Sequence, residues 1–268
     1  MADLSGKRAF ITGSSSGIGA ESARRLAAAG AAIILHGRDL AKLAHVEEEI
    51  RATGVEVASV SGALDTIDQA RDVADQALAL GPIDILLNNA GGSVSGGDTG
   101  FFETTAEHWL ACYQSNTLAT VVMTQAIAPT MVRRGWGRVI QIASGVVDNP
   151  IAEIPDYKAA KAAIVAFTTS LAVQLRGTGV TSNVISPGFV ANEGLRAWLE
   201  SEAAAKGWGG SWEEIERNAA RDIWPALVPR LGRTADIARA VMFLAAADAD
   251  YVTGAHLRID GGLALAKN

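Results

Sequence analysis

The chain has 268 residues, a formal net charge of −6, 49% hydrophobic residues and one cysteine, a length that accommodates one large α/β domain with a full core. No apolar run reaches membrane-spanning length, no basic block offers a surface to nucleic acid or anionic lipid, and Cys112 with the scattered His36, His45, His108 and His256 makes neither a disulfide framework nor a metal-ligand cluster. The expectation is a metal-free cytoplasmic protein with a small-molecule partner, since no apolar signal core precedes the first strand.

Short apolar runs alternate with stretches of helical period along the chain. A strand is predicted at Ala9–Ile11, then a helix over Gly17–Ala29, a strand at Ala32–Leu35 and a helix over Leu40–Ala52 with Asp39 as its N-cap. Strands at Val55–Ser59 and Ile83–Leu87 flank a helix over Ile67–Leu80. The glycine-rich stretch Gly91–Gly100 is expected as a loop, followed by a helix over Ala106–Arg134, a strand at Arg138–Ile142, a helix over Tyr157–Arg176 and a strand at Thr181–Ile185. Next comes Asn192–Val228, which holds Trp198, Trp208, Trp212 and Trp224 of the six tryptophans and reads either as a substrate lid or as a packed helical pair. A helix over Ala235–Ala246, capped by Thr234, and a strand at His256–Ile259 close the chain. Such alternation predicts a single domain over 1–268, an α/β doubly wound parallel sheet of seven strands with helices on both faces.

The first strand ends in Thr12-Gly13-Ser14-Ser15-Ser16-Gly17-Ile18-Gly19, immediately before a helix. Glycines let the backbone approach a pyrophosphate, and the helix N-terminus offers free N–H groups to it. Gly13-Ser14-Ser15-Ser16-Gly17 also matches the nucleophile elbow of α/β hydrolases, which would make Ser15 a nucleophile. The elbow's position after the first strand and the lack of a suitably placed late histidine weigh against that.

Asn88-Asn89-Ala90-Gly91 ends the fourth strand, Tyr157 and Lys161 stand one helical turn apart, and Ser144 precedes Tyr157 by thirteen residues. In this order the four motifs resemble the short-chain dehydrogenase/reductase family, its 3-oxoacyl reductase-like members in particular. The resemblance implies a Rossmann-type fold and hydride transfer between a nicotinamide and a ketone or secondary alcohol. Tyr157 would be the acid/base, Ser144 would bind the reacting oxygen, Lys161 would hold the nicotinamide ribose, and Asn116 would support a proton relay to Lys161. The Lys161 cation, on the same helix face, is expected to lower the tyrosine pKa. Cofactor contacts would come from Gly13, Ser15, Ser16, Gly17, Ile18 and Gly19, from Asn89, Ala90 and Gly91, and from Pro187, Gly188, Val190 and Asn192, the last in place of the family's Thr.

The family's NAD-selective members carry an acid at the end of the second strand, where this chain has Gly37 followed by Arg38. A guanidinium suits a 2'-phosphate, so NADP(H) is expected in preference to NAD(H). Gly62 or Ala63 falls where the family has an adenine-binding Asp, with Asp65 as a candidate substitute. The run Tyr251–Gly262 resembles the family's closing strand, and the resemblance implies a homotetramer or dimer. The Trp-rich insert and Phe101-Phe102 suggest a bulky or apolar substrate. A non-catalytic nucleotide-sensing protein on the same fold is the alternative, though such a protein would be free to lose Tyr157 or Lys161.

Overall fold

Two-residue periodicity along the strands creates two apolar faces. In β1 (Arg8–Ile11), Ala9 and Ile11 enter one core and Phe10 the other. The computed structural model describes residues 3–93, 100–149 and 153–263. With β2 (Ala32–Gly37), β3 (Val57–Ser61), β4 (Ile85–Asn88), β5 (Gly137–Ile142), β6 (Val180–Pro187) and β7 (His256–Ile259), β1 forms a seven-stranded parallel sheet in the order β3-β2-β1-β4-β5-β6-β7. Strand order reverses between β1 and β4, the switch point at which open α/β sheets leave a crevice beyond their strand ends.

The helices are α1 (Gly17–Ala28), α2 (Leu40–Arg51), α3 (Ile67–Ala79), α4 (Ala106–Tyr113), α5 (Ala119–Arg134), α6 (Pro155–Gln174), α7 (Glu193–Lys206), α8 (Trp212–Asp222) and α9 (Thr234–Ala245). Apolar residues of α1, α2 and α9 share a core with Ile33, Leu35 and Ile140, while α3 and α5 pack with Ile34, Leu86 and Val139 on the opposite face. No helix among the described residues is long and apolar enough to cross a membrane.

Several local expectations hold and others shift. The Asp39 side chain accepts from Lys42 N at 3.1 Å, as an N-cap should. Thr234 does not cap α9. It is the first helical residue, and the Asp236 carboxylate accepts from Arg233 N instead. β3 begins two residues later than the apolar run suggests, because Val57–Ser61 is the segment in register with Ile33–Gly37. The single helix expected over Ala106–Arg134 is interrupted by a π-helical turn at Gln114–Leu118, a local widening often found at functional sites.

The insert after β6 folds as two helices. The Asn192 side chain caps α7, Gly207 ends it in the left-handed conformation (φ 66°), and a reciprocal Ser211–Glu214 capping box starts α8. Trp208 is buried and donates from Nε1 to Asp222 at 2.9 Å, so this tryptophan is core rather than pocket lining. Trp224 stacks on Phe189 with ring centroids 3.9 Å apart, joining the insert to the turn after β6. Most of the predicted Gly91–Gly100 loop, residues 94–99, lies outside the described residues.

Candidate active site

The loop after β1 and the turn after β4 meet over the switch point because small residues allow it. A Cβ on Gly19 would overlap the Gly13 carbonyl, and one on Gly13 would come within 3.0 Å of the Ala90 backbone. Asn89 fastens the two segments, its Nδ2 donating to the carbonyls of Thr12 and Gly13 at 3.0 Å each. Thr12 Oγ1 accepts from the amides of Asn89 and Ala90 at 3.0 Å.

This junction opens onto a cleft of about 660 Å³ lined by Gly13, Ser15, Ser16, Arg38, Asn89, Ala90 and Gly91 among others. Ser16 precedes α1 without making a side-chain cap, so the first-turn amides of Gly17, Ile18 and Gly19 are left for an anionic ligand. A dinucleotide pyrophosphate fits that arrangement. Arg38 stands at the cleft mouth, largely exposed, with Asp65 facing it at 3.9 Å. Asp65 thus reaches the cleft wall, next to Gly62 and Leu64.

At the other end α6 presents Tyr157 and Lys161 on one face, the lysine Nζ 5.6 Å from the tyrosine ring centroid. Pro155 begins this helix, and Ile154 before it holds an unfavourable left-handed backbone (φ 49°). Lys161 is buried and donates to the Ile142 carbonyl at 3.0 Å. Ser144 lies close enough to the Tyr157 hydroxyl to favour its ionised form. The π-helical turn carries Asn116 inward, where its Oδ1 accepts from Gly92 N at 3.1 Å and its Nδ2 donates to Gly92 O at 3.0 Å. Gly91 lies between them: a Cβ there would overlap Asn116 Oδ1 and come within 3.1 Å of Lys161 Nζ. Asn116, Ser144, Tyr157 and Lys161 are therefore gathered beside the Gly91 end of the cleft.

Electrostatics depart from the sequence expectation. The Tyr157 hydroxyl is pushed up to about 12, chiefly by burial, with the Ser144 hydrogen bond opposing and Cys112 adding to the rise. Burial likewise pushes Lys161 down to about 8. Desolvation penalises both charged forms, and the Lys161 ammonium is directed at a backbone carbonyl rather than at the phenol.

Four predicted cofactor contacts act differently from a simple lining role. Asn192 Oδ1 is engaged as the α7 N-cap by Leu195 N at 2.9 Å, which leaves Nδ2 as the end that can meet a ligand. Val190 packs on the main core and bridges to Gly232 through its backbone. Gly188 lines a separate cavity of about 300 Å³ with Phe189, Trp224 and Arg230, while the Pro187 carbonyl abuts Gly145 beside Ser144. The hydrolase reading loses its base. His256 Nε2 is occupied by Ser186 Oγ at 2.7 Å, and both His36 ring nitrogens are bonded to backbone groups. Among the described residues, no group of three or more metal-ligating side chains converges.

The sequence profile of the family described as short chain dehydrogenase matches residues 7–203. A putative ketoacyl reductase of the granaticin polyketide synthase from Streptomyces violaceoruber is 34% identical over 259 residues, covering 95% of this chain and 92% of that protein. The 3-oxoacyl-[acyl-carrier-protein] reductase of Haemophilus influenzae is 32% identical, covering 98% of this chain and all of its own length, 100%. Among solved structures, L-sorbose reductase from Gluconobacter frateurii, complexed with NADPH and L-sorbose, superimposes with a TM-score of 0.89 at 29% identity, covering 98% of each chain. A 3-oxoacyl (acyl-carrier-protein) reductase from Agrobacterium tumefaciens with NADP bound gives a TM-score of 0.86 at 32% identity, covering 97% of this chain and 95% of that one. The chain belongs to the short-chain dehydrogenase family and is an oxidoreductase acting between CH–OH and C=O groups.

Proposed function

We propose that the protein is an NADP(H)-dependent reductase of a ketone, or dehydrogenase of the matching secondary alcohol, with NAD(H) as the weaker cofactor. The carrying observation is the convergence of Ser144, Tyr157 and Lys161 at one end of a cleft whose other end holds Arg38. Bound nicotinamide supplies or accepts the hydride. The open amides of α1 and the Gly13–Ser16 loop hold the pyrophosphate, Asn89 to Gly91 line the ribose side, and the Arg38 guanidinium takes the 2'-phosphate. The NADP- and NADPH-bound structures among the similar proteins support the phosphorylated cofactor.

Tyr157 keeps its proton throughout the neutral range and is suited to deliver it to a carbonyl oxygen that Ser144 holds. Lys161, held near 8, exchanges a proton close to working pH and can restore the tyrosine, with Asn116 fixing the wall behind it. Exposed Phe101 and Phe102, with Trp109 packed edge-on against Phe101, and half-exposed Trp198 on α7 supply apolar surface for a bulky substrate. Residues 192–228 act as the lid in this reading, within one catalytic domain over 1–268. The outer edge of β7, unpaired among the described residues, together with exposed Phe243 and Tyr251, supports a homodimer or homotetramer, and the cytoplasm is the compartment of this reading. An intact Ser144, Tyr157 and Lys161 set favours catalysis over mere nucleotide sensing.

The test is titration of protein fluorescence with NADPH and NADH, on the wild type and on Arg38→Ala. NADPH should bind the more tightly, and the variant should lose about tenfold or more of its NADPH affinity, as for a charge-assisted contact of about 1.5–3 kcal/mol. Equal affinities in the wild type would contradict the cofactor assignment.

A further inference from the structure

His36 sits at the adenine end of the cleft, on β2, and is 3% exposed. Its Nδ1 accepts from Gly13 N at 3.1 Å, which places the ring proton on Nε2, 3.2 Å from the Gly62 carbonyl. The Phe10 ring packs edge-on against it at 6.4 Å. One imidazole thus joins the first residue of the phosphate-binding loop to the turn after β3. That turn is where the family places an acid, and this chain has Gly62 and Ala63. The ring is neutral at working pH: burial first, and the Arg38 charge second, hold its pKa down to about 4 against the pull of the Gly62 bond. Neutrality matters because only a deprotonated Nδ1 can accept from Gly13.

The His36 backbone is also bonded to the loop, Ser14 N donating to His36 O at 2.8 Å and His36 N donating to the Ser14 side-chain Oγ at 2.9 Å. They survive any substitution. What the side chain alone adds is the Gly13 to Gly62 bridge, which sets the width of the cleft between the loop and the turn after β3.

We propose that His36 is a positioning residue for the cofactor, bridging the Gly13 amide and the Gly62 carbonyl so that the adenine end of the cleft is preformed without the family's acid. This inference rests on the cofactor reading given above. Without the bridge, the Gly13 amide and Gly62 carbonyl lose their partner, and the loop reorganises each time a nucleotide binds.

The experiment compares NADPH dissociation constants, displacement by 2',5'-ADP, and nucleotide-free melting for the wild type, His36→Phe and His36→Gln. Phe keeps a ring and removes both bonds, whereas Gln can accept through Oε1 and donate through Nε2. The expected result is NADPH and 2',5'-ADP affinities weakened about tenfold or more in His36→Phe and restored to within about threefold of wild type in His36→Gln. Unchanged affinity in His36→Phe, or equal weakening in both variants, would overturn the proposal. Should His36→Phe fail to fold, His36→Asn, too short to span both groups, carries the same decision. Wild-type protein that binds no NADPH would instead defeat the cofactor reading itself, before any variant is measured.

Discussion

Substituting Gly91 by Ala probes the packing that gathers the proposed catalytic set. Gly91 has φ +143°, outside the range comfortable for a residue with a Cβ, and the backbone strain alone costs about 1–3 kcal/mol. The added methyl would overlap Asn116 Oδ1, so the reciprocal Asn116–Gly92 pair at 3.1 and 3.0 Å must open. Those two bonds contribute about 0.5–1.5 kcal/mol each. The sum, about 2–6 kcal/mol, corresponds to a melting temperature lower by roughly 5–15 °C for a chain of this size. Because the same methyl approaches Lys161 Nζ, turnover should fall about 100-fold, the effect expected of a misplacement near 1 Å. Thermal melting and single-substrate turnover measure both. Gly92→Ala is the internal control: nothing lies within 4 Å of its Cβ position, and it should behave as wild type. If Gly91→Ala melts within a degree of wild type, or if Gly92→Ala is equally damaged, the close-approach argument is refuted.

Three further outcomes follow from the charges. Lys161 has its pKa depressed to about 8 in the fold, so between that value and its ordinary 10.5 the unfolded chain binds more protons and this residue's contribution to stability rises with pH. Urea unfolding should therefore give wild type a gain over Lys161→Met of up to about 3 kcal/mol between pH 7.5 and 10, and a flat difference would show that the lysine is not desolvated. Arg138 is buried, its guanidinium donating to the carbonyls of Ala246, Gly137, Gly179 and Ala247 at 3.0 to 3.4 Å. Arg138→Met strands those acceptors and should cost about 3–5 kcal/mol in urea unfolding, with a loss below 1 kcal/mol counting against the network. Asp65→Asn removes the carboxylate 3.9 Å from Arg38 and should tighten NADPH about two- to fivefold at low salt, with no gain for NADH; equal gains for both cofactors would exclude the 2'-phosphate as the cause.

Strand and helix alternation was legible in the chain because side-chain period is a local property. Ala9, Phe10 and Ile11 already declare a strand buried on both faces, and Asp39 already declares a helix start. The site motifs were legible for a related reason: Tyr157 and Lys161 are one helical turn apart, and Gly13 to Gly19 sit where a strand gives way to a helix. The local environment of those residues was not. The expected lowering of the Tyr157 pKa fails because burial, which depends on how α6 sits against the turn after β5 and the π-helical turn, raises it. Likewise the inward placement of Asn116, the capping use of Asn192 and the core role of Trp208 depend on partners far along the chain or on a helical irregularity with no sequence period. His36 is the clearest case. As one of four scattered histidines it signals nothing, and only the parallel pairing of β1, β2 and β3 brings Gly13 and Gly62 to opposite sides of its ring. Sequence alone determined the fold class and named the residues proposed to carry the chemistry. Tertiary structure decided their protonation, because desolvation is summed over every segment that packs against a group and no local stretch encodes that sum.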